Sequence, residues 1–217
     1  MNRRFDSHFF LGKYSPLSLL TGAGLIIMAS SRFAFALVCA GALVFVYALS
    51  AVVYSGARPI MPVRGRMIIL LFLSAFLCGF YMLLVGLLNP LLILGTSFYL
   101  ILVPPFIMAS GFFEASESEY TSEVFKRAIL EAVVLAGLIL GFALIREPLG
   151  MGTLSFPGGS KGFVELFDSR DGNASFSIRF LSVSGGGLLL LGYGVALFRR
   201  FMEHSGNNMH NTIGEDR

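Results

Sequence analysis

The chain has 217 residues, 55% hydrophobic and 13% charged, with a net charge of +3 and a mean hydropathy of +0.77. A water-soluble domain of this size carries about twice that charged fraction, so these values exclude one and predict an all-α integral membrane protein in contact with the lipid bilayer. The basic residues flank apolar runs, where they set orientation, so the positive charge does not point to nucleic acid.

A transmembrane helix needs roughly 20 apolar residues, and the chain has room for about six segments in a single membrane domain, 1–217. Met1 to Lys13 is polar and basic. It is expected to be retained rather than cleaved, because the apolar run after it leads almost directly into another span. The first segment, about 17–29, is too short to cross alone and contains Gly22 and Gly24, which predicts a broken or re-entrant helix. The second, about 33–54, is uninterrupted. A connector with Arg58, Arg64 and Arg66 leads to the third, about 67–88.

The fourth segment, about 90–113, contains the adjacent pair Pro104-Pro105. Two prolines remove two backbone donors and clash with the preceding turn, so the spacing predicts two half-helices. In lipid the freed backbone must be buried in protein or line a polar cavity. Gly22, Gly24, Pro104 and Pro105 are therefore the candidate lining of a broken-helix cavity. Ser15 to Ser30 and Asn89 to Ser110 echo one another. Pro16-Leu17 matches Pro90-Leu91, and Ile27 to Ser30 recurs at Ile107 to Ser110. Such an echo predicts an inverted 3+3 repeat with helices 1 and 4 broken.

Glu114 to Arg127 is a charged connector, and about 128–145 is the fifth segment. Its Glu131 is either an interfacial residue or part of an ion path, since intramembrane carboxylates are often functional. Arg146 to Phe180 reads as one long Gly- and Ser-rich loop, of the length that is usually functional or loosely ordered. Within it Asn173-Ala174-Ser175 fits the glycosylation pattern. The sixth segment is about 181–198, with Gly185 to Gly187 near its start. Arg199-Arg200 stops it, and a disordered tail is expected over 201–217. With the N-terminus inside, eleven Lys and Arg fall on the inner side and five on the outer, which predicts both termini in the cytoplasm.

Cys39 and Cys78 lie in separate apolar runs and give no disulfide framework or metal spacing. They read as small buried hydrophobes. His8, His204 and His210 lie in polar tails, so no metal site is expected.

The most distinctive string is Arg146-Glu147-Pro148-Leu149-Gly150-Met151-Gly152-Thr153-Leu154. On residues alone it is an ion pair at a helix end, a proline stop and a tight glycine turn, suited to interface anchoring and capping. The string resembles the R-E-x-x-G-x-G-x-L sequence after the fifth helix of the D/E-type membrane subunits of Rnf and Nqr complexes. The resemblance extends back through the Pro104-Pro105 segment and forward to Arg199-Arg200. It implies a bacterial cytoplasmic-membrane subunit of a complex that couples electron transfer to Na⁺ or H⁺ translocation. It also implies further membrane subunits as partners, a paralogous sister subunit among them. Arg146, Glu147, Gly150 and Gly152 are the motif residues.

In that family each of two sister subunits supplies two cysteines, one per broken helix, to a shared 2Fe–2S cluster. Here Thr21 to Gly24 and Val103 to Phe106 stand at those places without a cysteine. No cofactor is therefore expected on this chain. Flavin and iron–sulfur groups would sit in partner subunits, and the chain would be at most a non-catalytic or accessory subunit. The alternative is a non-redox paralogue on the same scaffold, acting as a small-solute or ion transporter or a non-catalytic complex partner.

Overall fold

The computed structural model describes residues 16–62, 66–110, 121–158, 162–168 and 179–214. Among these the order is α1 (Pro16–Ala29), α2 (Phe33–Ala57), α3 (Arg66–Leu88), α4 (Pro90–Leu100), α5 (Val103–Ala109) and α6 (Thr121–Met151). There follow β1 (Thr153–Pro157), β2 (Phe163–Asp168), α7 (Arg179–Ser182) and α8 (Ser184–Gly214). Met1 to Lys13, Asn173-Ala174-Ser175 and residues 114–120 of the Glu114 to Arg127 connector lie outside the described residues. Among the described residues, four helical stretches are long and apolar enough to cross a membrane: Phe33–Ala57, Ile68–Leu88, Pro90–Met108 (α4 with α5) and Ser122–Met151. The protein is thus a mostly helical, multi-pass membrane protein.

The bundle is built around α2 and α6. Along α6 the buried residues are Val124, Ala128, Ala132, Ala136, Ile139 and Ala143, three or four apart, so they form one stripe of the helix. On α2, Ala34, Ala36, Ala40, Ala42 and Ala51 are buried. Apolar burial gives no drive between helices in lipid, and small residues that let backbones approach closely take over that role. Helix α3 shows the opposite face of the same logic. Leu70, Ser74, Leu77 and Cys78 turn inward, while Ile68, Phe72, Phe76, Phe80, Leu83 and Leu87 are exposed, as lipid contact requires.

Several sequence expectations are corrected. Gly22 and Gly24 do not break α1, which runs unbroken from Pro16 to Ala29. A glycine costs a helix only about 1 kcal/mol, which packing offsets. The break in the fourth segment falls at Ile101-Leu102, just before the prolines, and Pro104 and Pro105 open α5. There the missing N–H groups would have had no partner within the helix. Pro148 does not stop the fifth segment, because α6 carries it inside its last turn and ends at Met151. The sixth segment is divided at Val183 into α7 and α8, and α8 continues to Gly214 where disorder was expected from 201. No proline interrupts that stretch. Finally, the Arg146 to Phe180 stretch is not all irregular loop, although the protein remains mostly helical. The long loop contains an antiparallel hairpin pairing Thr153 with Asp168 and Phe156 with Val164, with an irregularity between Leu154 and Ser155.

Candidate functional site

The buried stripe of α6 does not end at Ala143. Its next positions are Arg146, Glu147 and Gly150, all buried. Arg146 is 2% exposed and Glu147 1%. Burying a charge is costly unless every donor and acceptor is met, and the guanidinium has five N–H donors. Arg146 Nε donates to the Leu181 carbonyl at 2.9 Å. Nη1 donates to the Ile27 carbonyl and, at 3.0 Å, to Ser30 Oγ. Nη2 donates to the carbonyls of Ser182 at 3.1 Å and Val183 at 3.2 Å.

These acceptors belong to the C-terminal end of α1 and to the joint between α7 and α8. Those of α1 and α7 lie at helix C-termini, whose carbonyls lack intrahelical donors and carry the negative end of the helix dipole; Val183, just before α8, also accepts from Gly187 N at 3.1 Å. One guanidinium satisfies both sets at once. Gly187 makes this possible, since a Cβ there would lie 2.9 Å from Arg146 Cζ. Gly150 does the same for the backbone: a Cβ would lie 3.0 Å from Ser182 N.

Glu147 does the converse task. Its Oε2 accepts from Phe33 N at 2.6 Å, the first N–H of α2, whose N-cap Arg32 makes no side-chain cap bond. A carboxylate at a helix N-terminus meets both an orphan donor and the positive dipole end. Ala34 N, next along, donates to Ser155 Oγ of β1 at 3.4 Å. Neighbouring residues of opposite charge thus clamp helix ends of opposite polarity. Gly152 closes α6: its φ is +70° and its N–H donates to the Pro148 carbonyl at 2.9 Å, the left-handed cap that glycine favours.

The hairpin covers this end of the bundle. Arg32 lies over the Phe163 ring at 4.2 Å and pairs with Glu165 at 3.4 Å. Asn89 caps α4 by accepting from Leu92 N at 3.2 Å, and its Nδ2 donates to the Gly162 carbonyl at 3.2 Å.

The other predicted group is brought together in part. Phe106, one residue beyond Pro105, packs on Gly22: a Cβ there would lie 2.9 Å from the ring. Nothing lies within 4 Å of a Cβ on Gly24. Pro104 is buried and Pro105 exposed, so the break is bedded in protein on one side. Pro104 deprives the Leu100 carbonyl of its donor, and Cys78 Sγ donates to that oxygen at 3.2 Å. Sequence reasoning missed this role for Cys78. The signal was its place on the buried face of α3. Glu131 is paired with Arg127 at 3.1 Å, one turn apart near the start of α6. Among the described residues no three of His, Cys, Asp and Glu gather as a metal-holding group.

No protein-family model and no curated protein matches the chain in sequence.

Proposed function

We propose that this chain is a membrane subunit of an Rnf/Nqr-type complex coupling electron transfer to Na⁺ or H⁺ translocation. Its six membrane segments are arranged as an inverted 3+3 repeat, in a bacterial cytoplasmic membrane with both termini cytoplasmic. In this reading it is an accessory scaffold, and flavin and iron–sulfur groups belong to partner subunits, including a sister of this chain. The observation that carries the reading is an exchange of packing partners between the two halves. Helix α2 packs on α6; α3 packs on α2 and on α4–α5, while α7 packs on α6 and α8 on α1. Exchanging α1 with α4–α5, α2 with α6 and α3 with α7–α8 returns each of these pairs, while the contact of α1 with α2 has no such counterpart among the described residues. The Arg146-Glu147 clamp adds support, because it ties second-half α6 to first-half α1 and α2.

A gentle affinity pull-down from native membranes, with iron and flavin assays on the eluate, tests this. Flavin- and iron-bearing membrane partners are expected. Elution alone, or as a homo-oligomer free of both, overturns the redox reading. An ion path through Glu131 belongs to the same proposal, and is dropped if Glu131→Gln leaves ion transport in reconstituted vesicles unchanged.

The second reading, a non-redox transporter on this scaffold, is favoured by one observation. Cys78 is engaged by the Leu100 carbonyl, and Cys39 is a buried thiol on regular α2 rather than at a break.

A further inference from the structure

We infer that the outward face of the β1–β2 hairpin is a lipid-contact surface, seated in the interfacial layer of the bilayer beside the transmembrane helices. Residues directly paired across a hairpin share a face, and so do residues two apart along a strand. Ser155 pairs with Glu165 and Pro157 with Phe163. This face is turned to the protein: Ser155 accepts from Ala34 N, Glu165 pairs with Arg32, and Phe163 meets Arg32 and Phe35.

The opposite face is Phe156 paired with Val164; Leu166, the unpaired extra residue where the register shifts between Leu154 and Ser155, is exposed as well. These three are 36%, 46% and 65% exposed. None is polar, and the charged residue of this strand segment, Glu165, points to the other side.

Two contacts fix the depth of that face and so its occupant. The Phe156 ring packs at 5.1 Å on Phe33, the first residue of a membrane-crossing helix. At the turn, a Cβ on Gly162 would lie 2.9 Å from Leu92 N and 3.2 Å from the Leu91 carbonyl carbon, in the first turn of α4, where the Pro90–Met108 span begins. Leu87, Leu88 and Leu91, around that helix start, are exposed large apolar residues, which is the signature of the lipid belt. The hairpin is thus held at the level where the spans begin, and its apolar face continues that belt. An amphipathic element at this depth lays its apolar side into the headgroup–acyl boundary. The chain has no tryptophan, so phenylalanine supplies the aromatic contribution there.

The absence of tryptophan also makes the test clean. Leu166→Trp in the full chain, reconstituted in phosphatidylcholine nanodiscs, places one reporter on this face. Its emission is expected to be blue-shifted and to lose most of its intensity with lipids brominated near the headgroup, while acrylamide has little effect. Phe163→Trp, on the packed face, is expected to resist both quenchers, and Phe98→Trp, two turns into the Pro90 helix and exposed, to respond to lipids brominated deep in the acyl chain. Quenching of Leu166→Trp by acrylamide but not by brominated lipid means a water-facing strand and overturns the inference. Resistance to both means that protein, such as a second copy of the chain, covers the face, and overturns it equally. Val164→Trp, directly paired with Phe156, is read by the same quenchers and decides for the face should the two reporters differ or Leu166→Trp fail to fold.

Discussion

Among the described residues, the joint of α1 with α7–α8 and the Pro104 break both present backbone carbonyls that need donors, and the two are met by different chemistry. At the joint of α1 with α7–α8 four carbonyls converge, and a full charge, Arg146, is buried to meet them. At the Pro104 break one carbonyl, that of Leu100, is met by the weak donor of Cys78. The difference follows from what each site can stabilise. Several carbonyls at helix C-termini supply enough negative potential to offset the desolvation of a guanidinium. A single carbonyl on a crossing helix does not, and a charge there would be expensive, whereas a thiol is nearly as apolar as its surroundings.

The contrast can be broken from the strong end first. Arg146→Ala is expected to cost about 3–5 kcal/mol, as removal of a buried, fully engaged charge does. It should appear as a lower unfolding midpoint in detergent, with faster hydrogen exchange at 181–187. Arg146→Lys should recover only part of this, since an ammonium brings three donors to five acceptors. Wild-type stability in Arg146→Ala would mean that the joint holds without its clamp.

Gly162→Ala is the next largest. With φ at +88° and backbone atoms of Leu91 and Leu92 in the way, it is expected to cost about 1–3 kcal/mol. The loss should be local, read as faster proteolysis in the hairpin with the main unfolding transition little moved. Glu147→Gln keeps an acceptor for Phe33 N but loses the charge at the α2 N-terminus, with an expected cost of about 1–2 kcal/mol by the same denaturation measurement.

The weakest effect belongs to the break. Cys78→Ala should cost no more than about 1 kcal/mol. Pro104→Ala returns an N–H to the Leu100 carbonyl, so in that background Cys78→Ala should cost measurably less. A double-mutant cycle reads this coupling, and strict additivity would show that the thiol does not serve the break.

The amino-acid sequence alone determined that the chain is a mostly helical membrane protein and that a helix is interrupted near Pro104-Pro105. Each of these depends on composition and local backbone chemistry, which need no partner. It also marked Arg146-Glu147-Pro148-Leu149-Gly150 as distinctive and allowed a capping role. Helical spacing alone puts both charges on the stripe that starts at Val124. Which helix ends they cap was decided only by tertiary structure. Their partners lie 114 and 119 residues away in sequence, at Phe33 and Ile27, and no local pattern encodes such a distance. The hairpin was hidden for a related reason. Thr153 to Asp168 reads as loop because its strands are short and glycine-rich at the turn, and they are held by Arg32, Ala34 and Asn89 from elsewhere in the chain. The uses of Cys78 and Gly187 were likewise settled by what packs against them, because a thiol or a missing side chain acquires its role only from the group brought opposite it.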